Sequence, residues 1–439
     1  MKKRENNMQW RLLTYTTLVA LLCHSPSVLQ AAEIDDLAQL TLSKANDLFT
    51  VNNRELLLSE RYLEGAKADT LTAAQRPNPT FSLNTNNFNL QGSNGNGGLS
   101  NRTVDTIARI EQPIERGNKR ALRMALAQNA VQASELDLRD AFRLQKQTLY
   151  IAYYDLLLAQ QSEEILQSNQ ALYQNMLNAA ELRLKAGDIS STDAARIRID
   201  VLRAQNDLRQ AQAERQKAQA DLAYLIGKEQ QANVIRINDS WPETTTAIIP
   251  ASEDQLDQRP DIQAAMARIQ VANENRKLAQ AFTTRDITIG MQYEHYPSAG
   301  GGGGGNNNGR NTIGAGFSIP LFTGYQYQGE IARAEVDYTT AMEAEDRIRA
   351  NAVGEVSRAR ADLDAAIEKV NRYDQNMLLE AEKTAHAAEF AYQHGAMGVT
   401  DLLDARRVLR ALQIDAATAH ADFAKSLASW RAAINPGDN

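Results

Sequence analysis

The stretch AGDISSTDAARIR, residues 186–198, returns as HGAMGVTDLLDAR at residues 394–406. Gly187, Thr192 and Asp193 fall on Gly395, Thr400 and Asp401 at a shift of 208, and Glu181 and Glu214 fall on Glu389 and Asp422 without a gap. Further upstream, Pro113 and Gly117 match Pro320 and Gly324 at a shift of 207. A period this long is not that of a solenoid, whose units run to 20–50 residues. It describes one half-molecule duplicated, with the same parts in the same order.

The segments before and after each repeated glycine are rich in helix formers. Residues 118–186 contain no glycine and no proline, and Leu144, Ile151, Leu158, Ile165, Leu172 and Ala179 form a seam at seven-residue spacing. Sustained heptads predict helices that supercoil around neighbours. The second half repeats the element over residues 330–394, interrupted only by Gly354. A shorter run follows each glycine, residues 188–226 with no glycine or proline and 396–435 with only Gly398 near its start. Gly187 and Gly395 therefore read as left-handed helix caps. Ser190 or Ser191 is positioned to start the next helix in the first copy, and Thr400 marks the same region in the second. The pattern is a helical hairpin with a tight tip, made twice. The shorter arms need residues 33–76 and 260–285 stacked end to end beside them, with Pro260 in a first helical turn, where its missing N–H costs nothing.

Between the helices each half changes character. Residues 79–88 and 103–113 alternate in part, as do 286–296 and 312–321, and each pair is joined by a Gly/Asn-rich loop. Strands of about ten residues match the length of transmembrane β-strands, although surface hairpins of a soluble domain have the same local pattern. Four strands cannot close a barrel, since barrels begin at eight, and lipid tolerates no open edge. Three chains in cyclic symmetry would supply twelve strands.

The N-terminus reads as an export signal: Lys2, Lys3, Arg4 and Arg11, then an apolar run over residues 12–22, then small residues toward Ala31 and Ala32. That run is too short to span a bilayer, which favours a cleaved peptide over a retained anchor. Cys23 is the single cysteine, and Leu22 before it does not suit a lipoprotein signal. With residues 1–31 removed, the chain carries 43 Lys and Arg against 53 Asp and Glu, net −10, and no cysteine. This balance argues against nucleic acid as a partner, and the absence of thiols excludes disulfides and thiolate metal sites.

Taken together, the signal, the duplicated plan, PNPTF (77–81), QPIERGNKR (112–120), RPDIQAA (259–265) and IPLFTG (319–324) resemble the outer-membrane efflux channels of the TolC family. PNPT followed by QPIE-x-G-x-KR is most similar to the CzcC branch, which serves cobalt–zinc–cadmium export. The resemblance implies a fold of α plus transmembrane β. Long antiparallel coiled-coil helices form an α-barrel, and four β-strands per chain contribute to a trimeric 12-stranded outer-membrane β-barrel. It implies a signal peptide over 1–31 and a first pseudo-repeat over 32–226, with a β-hairpin near 79–113 and a tip at 187–193. A linker follows over 227–258, then a second pseudo-repeat over 259–439, with a β-hairpin near 286–321 and a tip at 395–401. The implied partners are two further copies, outer-membrane lipid, a periplasmic adaptor and, through it, an inner-membrane pump of the resistance–nodulation–division type. No enzymatic activity and no cofactor are implied.

Carried over residue by residue, Asp401 and Asp404 fall where relatives place acidic rings at the periplasmic entrance. Three residues apart on a helix, they share one face, a suitable way to favour cations in a narrow pore. Asp193 matches a tip position involved in gating contacts, and Gly187, Thr192, Gly395, Met397 and Thr400 fall on the adaptor-docking tips. The first copy has Arg196 where the second has Asp404. Relatives carry a latching arginine two residues after the second tip glycine, where this chain has Met397. A local alternative stays open for each aspartate, because acids near a helix N-terminus commonly cap it or complement its dipole.

Other signals lead elsewhere or nowhere. The glycine clusters at 92–98 and 300–305 have no strand–loop–helix context and no following lysine for a phosphate cradle. His295, His386, His394 and His420 lack metal-ligand spacing, although His386 and His394 lie eight apart on one predicted helix face. Tyr150, Tyr153 and Tyr154 read as packing. A periplasmic coiled-coil scaffold without a pore would account for the heptads but not for the paired hairpins. The same channel exporting drugs or a secreted polypeptide remains the alternative cargo reading.

Overall fold

The computed structural model describes residues 36–86, 104–244, 256–296 and 310–434. The export signal with Cys23 and both glycine-rich loops lie outside the described residues. The chain divides into two compact units, one built from 1–59, 139–259 and 351–439, the other from 60–138 and 260–350. In order, the elements are α1 (Leu42–Asn52), α2 (Arg54–Ala73), β1 (Thr80–Asn86), β2 (Asp105–Ile114), α3 (Lys119–Ala186), α4 (Ser191–Leu225), α5 (Pro260–Ala281), β3 (Ile287–Tyr296), β4 (Arg310–Ser318), α6 (Gln328–Arg372), α7 (Leu378–Gln393) and α8 (Val399–Ile434). Helix α5 starts at Pro260, in the first turn that its missing N–H predicts.

The unit containing residues 60–138 and 260–350 carries one antiparallel sheet in the order β1-β2-β3-β4. Register separates its faces cleanly. One row runs Phe81, Ile110, Met291, Ala315, and the next runs Leu83, Ala108, Tyr293, Ile313. Their large side chains stand open, with Phe81 67% and Ile313 78% exposed. Rows on the opposite face run Ser82, Arg109, Gln292, Gly314 and Thr80, Glu111, Gly290, Gly316, and an Arg109–Glu111 ion pair of 2.5 Å lies there. A sheet with one apolar, uncovered face and one charged face is built for lipid on one side and water on the other. Among the described residues, β1 and β4 have no strand on their outer edges.

The other unit holds the main helical core. Phe49, Leu149, Tyr153, Leu156, Leu222 and Ile226 are fully buried together. Tyr153 donates its hydroxyl to Asp239 at 2.6 Å, and burial, then this bond, pushes its pKa up. Asp239 also accepts from the Leu42 N–H at 2.8 Å, so one carboxylate fixes the start of α1 against α3. The tyrosines thus pack rather than bind.

Both halves tie the residue that precedes a short helix to the end of the returning one. Before α2, Asn53 accepts from Glu55 and Leu56 N–H groups as an N-cap and donates to the Leu225 carbonyl at 3.2 Å. Before α5, Arg259 donates to the Ala433 carbonyl at 2.9 Å and pairs with Glu355 at 2.9 Å. Leu225 and Ala433 are themselves related by the 208-residue shift. The same joint is therefore made twice, once with an amide and once with a guanidinium.

Two expectations change. Gly354 does not interrupt the long helix of the second half, because a single glycine costs a helix interior only about 1 kcal/mol. The irregularity lies instead at Tyr373–Met377, a π-turn between α6 and α7. A π-turn accommodates one extra residue without rotating the flanking turns. The repeat shift grows from 207 at Gly324 to 208 at Glu389, so this turn absorbs the insertion. Second, the seven-residue seam is not the one the chain buries: Leu144 is 42% exposed, and Ile151, Leu158 and Ile165 are only half-buried. Leu149, Leu156, Leu166, Tyr173 and Ala180 take the interior instead. The apolar stripe is wide enough for two seams, and one chain covers only one of them. At the second tip α8 begins at Val399, so Thr400 lies in its first turn.

Candidate functional site

The two hairpin tips are built alike because the same backbone hydrogen bonds close them. At the first, Gly187 N–H donates to the Leu184 carbonyl and Asp188 N–H to the Arg183 carbonyl. At the second, Gly395 donates to Tyr392 and Ala396 to Ala391. Both glycines hold left-handed backbone, φ 84° and 73°, which a side chain would strain. Each hairpin is then clamped by the same ion pair about two turns inside: Arg198 with Glu181 at 2.9 Å, and Arg406 with Glu389.

The turns into the second arms differ. Ser190 caps α4, accepting from Asp193 N–H at 3.1 Å while donating its hydroxyl to the Asp193 carboxylate at 2.8 Å. Asp193 is half-buried and engaged in this local bond, with Arg196 at 4.0 Å. The second tip has Gly398 in the equivalent place, so no side chain engages Asp401 in that way. Among the described residues Asp401 has no ion pair, and both Asp401 and Asp404 are exposed. The adjacent Leu402 and Leu403 are buried, which fixes the outward face of the aspartates. Thr400 accepts from Arg196 at 2.9 Å, linking the two tips. Thr192 is exposed and Met397 half-buried.

Below the tips the two hairpins are joined by charge. Arg407 on α8 donates to Asp404 at 2.7 Å and to Asp200 on α4 at 2.8 Å. Asp200 is only 5% exposed, and Arg203 approaches it at 3.7 Å. Its hydrogen bond holds the Arg407 guanidinium protonated well above the usual range. Burial, then the nearby Asp200 charge, raises the pKa of the Tyr173 hydroxyl. One further turn along, Arg410 pairs with Asp207. Around these ions Tyr173, Leu177, Ile197, Val201, Val399 and Leu403 form an apolar cluster contributed by both hairpins. Asp200, Asp207, Arg407 and Arg410 are absent from the tip residues marked by sequence. A signal did exist for Asp200, which sits inside the apolar stripe Ala194, Ile197, Val201, Ala204.

The sequence-marked residues are therefore gathered at one end of the hairpins with unequal availability. Asp401 is free, Asp404 is shared with Arg407, and Asp193 belongs to a cap. His394 bonds the Phe390 carbonyl through Nδ1 at 2.8 Å, closing its own helix end, and His386 is exposed. Among the described residues no three metal-ligating side chains converge.

Comparison with known proteins gives these features a context. A family model described as outer membrane efflux protein matches residues 47–228 and 251–435. The chain is 25% identical over 385 residues to the cobalt-zinc-cadmium resistance protein CzcC of Cupriavidus metallidurans, covering 84% of each. Among solved structures it resembles a membrane protein from Pseudomonas aeruginosa, with TM-score 0.75, 19% identity and 90% of both chains covered. It also resembles VceC of Vibrio cholerae, with TM-score 0.71, 18% identity and coverage of 90% and 96%. A third likeness is to CusC, with TM-score 0.72, 20% identity and coverage of 90% and 92%.

Proposed function

The chain belongs to the outer membrane efflux protein family, and from that premise we propose that it is the exit duct through which a tripartite pump drives divalent heavy-metal cations out of the cell. As a family member it lies in the outer membrane and extends into the periplasm; it is a channel and not an enzyme. The observation that carries the channel reading is the sheet, apolar on one face, charged on the other, with both edges unpaired among the described residues. Three copies would close it into twelve strands, and the half-exposed heptad seam on α3 would face a neighbouring subunit. The tips Gly187–Thr192 and Gly395–Thr400 would meet a periplasmic adaptor, through which an inner-membrane pump of the resistance–nodulation–division type supplies the driving force.

The cargo reading rests on the likeness to a cobalt-zinc-cadmium resistance protein, supported by the exposed carboxylates at the tips. In three copies, Asp401 and Asp404 would ring the periplasmic entrance and favour cations. Asp401 carries most of this effect, because Arg407 compensates Asp404. With Met397 at the family's latch position, the Arg407–Asp200 and Arg196–Thr400 contacts would hold the two hairpins together in the narrow state.

The purified full-length protein should conduct ions across planar bilayers with cation preference, and Asp401→Asn combined with Asp404→Asn should weaken that preference. A strain lacking the gene should become sensitive to zinc, cobalt or cadmium while keeping its drug tolerance. Failure to conduct would remove the channel, and drug sensitivity without metal sensitivity would replace the cargo.

A further inference from the structure

The two duplicated turns that lead from strand into helix have diverged in opposite directions. The first, residues 115–120, reads ERGNKR, and the second, residues 322–327, reads FTGYQY. In the sheet-bearing unit both lie at the helix-proximal end of the strands. Asp286, at the entry to β3, accepts from the Arg116 N–H at 2.8 Å and from Lys119 Nζ at 2.8 Å, and this holds the charged turn in place. Next to it, Arg285 lays its guanidinium over the Phe322 ring at 5.3 Å. Phe282, Phe322 and Tyr325 surround Tyr327 with ring centres 5.1–5.5 Å away. These contacts hold Tyr327 at φ 63°, a backbone that non-glycine residues rarely adopt.

Charge is uneven here. Lys119 is buried and satisfied by Asp286. Arg116 and Arg285 are exposed, and neither has a carboxylate partner among the described residues. Arg285 thus borders the aromatic cluster and Arg116 is tied to the same place through Asp286, where the apolar face of the sheet ends, beside Leu321 (74% exposed) and Tyr325 (52% exposed), whose hydroxyl donates to Glu330. Aromatic rings settle at headgroup depth in a membrane, and arginine pairs with phosphate through two parallel N–H donors. A free phosphate would leave the adjoining apolar surface without a partner, whereas a phospholipid meets both parts.

We propose that Arg116 and Arg285, with Phe322 and Tyr325, form a headgroup site for an anionic phospholipid of the periplasmic leaflet. The site rests on the membrane placement of the sheet and is independent of the cargo. Native mass spectrometry of the full-length protein, released from nanodiscs of equal phosphatidylglycerol and phosphatidylethanolamine, tests it. The wild type should retain phosphatidylglycerol preferentially, by roughly thirtyfold for two basic groups. Arg116→Gln with Arg285→Gln should abolish the preference, and Arg116→Lys with Arg285→Lys should keep most of it. Equal retention of the two lipids by the wild type would overturn the proposal, even if the glutamine variant fails to assemble. A preference unchanged in an assembled glutamine variant would also overturn it.

Discussion

The Arg407 guanidinium on α8 reaches the Asp200 carboxylate on α4 at 2.8 Å across 207 residues of sequence. It joins the second half of the duplicated chain to the first, and its acid is almost wholly buried. Removing the arginine leaves a buried carboxylate with only the more distant Arg203. Arg407→Gln should therefore cost about 2–3 kcal/mol, below the full value for a buried pair because Arg407 is partly exposed. Adding Asp200→Asn should restore part of the loss. Denaturant unfolding of the four proteins in a double-mutant cycle reads the coupling directly, and purely additive losses would argue against it.

Single substitutions at the two exposed aspartates should not be equivalent. Asp401→Asn is expected to lower the cation-to-anion permeability ratio more than Asp404→Asn, since Arg407 already offsets Asp404. Reversal potentials in asymmetric salt decide the order.

The π-turn makes a deletion prediction. Removing Gln375 should convert Tyr373–Met377 into ordinary α-helix and leave the buried faces of α6 and α7 aligned. Removing Ala365, inside α6, rotates everything beyond it by about 100° and should prevent assembly. Yield of folded protein in the membrane fraction separates the two, and equal failure would count against the turn as the absorber of the insertion.

At the joints, Arg259→Ala removes a side chain that is 1% exposed and strips a partner from both Glu355 and the Ala433 carbonyl. A loss of about 3 kcal/mol is expected. Asn53→Ala removes only a cap and one amide bond and should cost about 1–2 kcal/mol. Thermal unfolding with limited proteolysis would rank them, and the reverse order would contradict the assignment.

Across the sheet, Ile313→Lys and Thr312→Lys place the same charge on opposite faces of one strand. The first should lower membrane assembly by about 2–4 kcal/mol, and the second should be tolerated. Heat-modifiable migration of membrane extracts gives the comparison.

Much of this architecture was legible because duplication supplies its own control. Gly187 and Gly395 announce their caps by recurring at a fixed interval, and Pro260 announces a first turn. The strands were legible from alternation between glycine-rich loops. Less could be read at the tips, where an aspartate three residues into a helix has the same sequence signature whether it caps or faces solvent. Only the folded turn separates Asp193, bound to Ser190, from Asp401. The Arg407–Asp200 pair was illegible for another reason, since nothing local couples residues 207 apart. The heptad seam misled because periodicity reports an apolar stripe without saying which chain covers it.

The open edges of β1 and β4 carry a kinetic consequence. A lone subunit has no state that satisfies its backbone in lipid, so insertion and association become a single event rather than successive ones. The rate of that event rises steeply with local subunit concentration, and until copies meet, each must be shielded from pairing with unrelated strands. Slow delivery would then favour aggregation over conductance, whatever the equilibrium stability of the finished assembly.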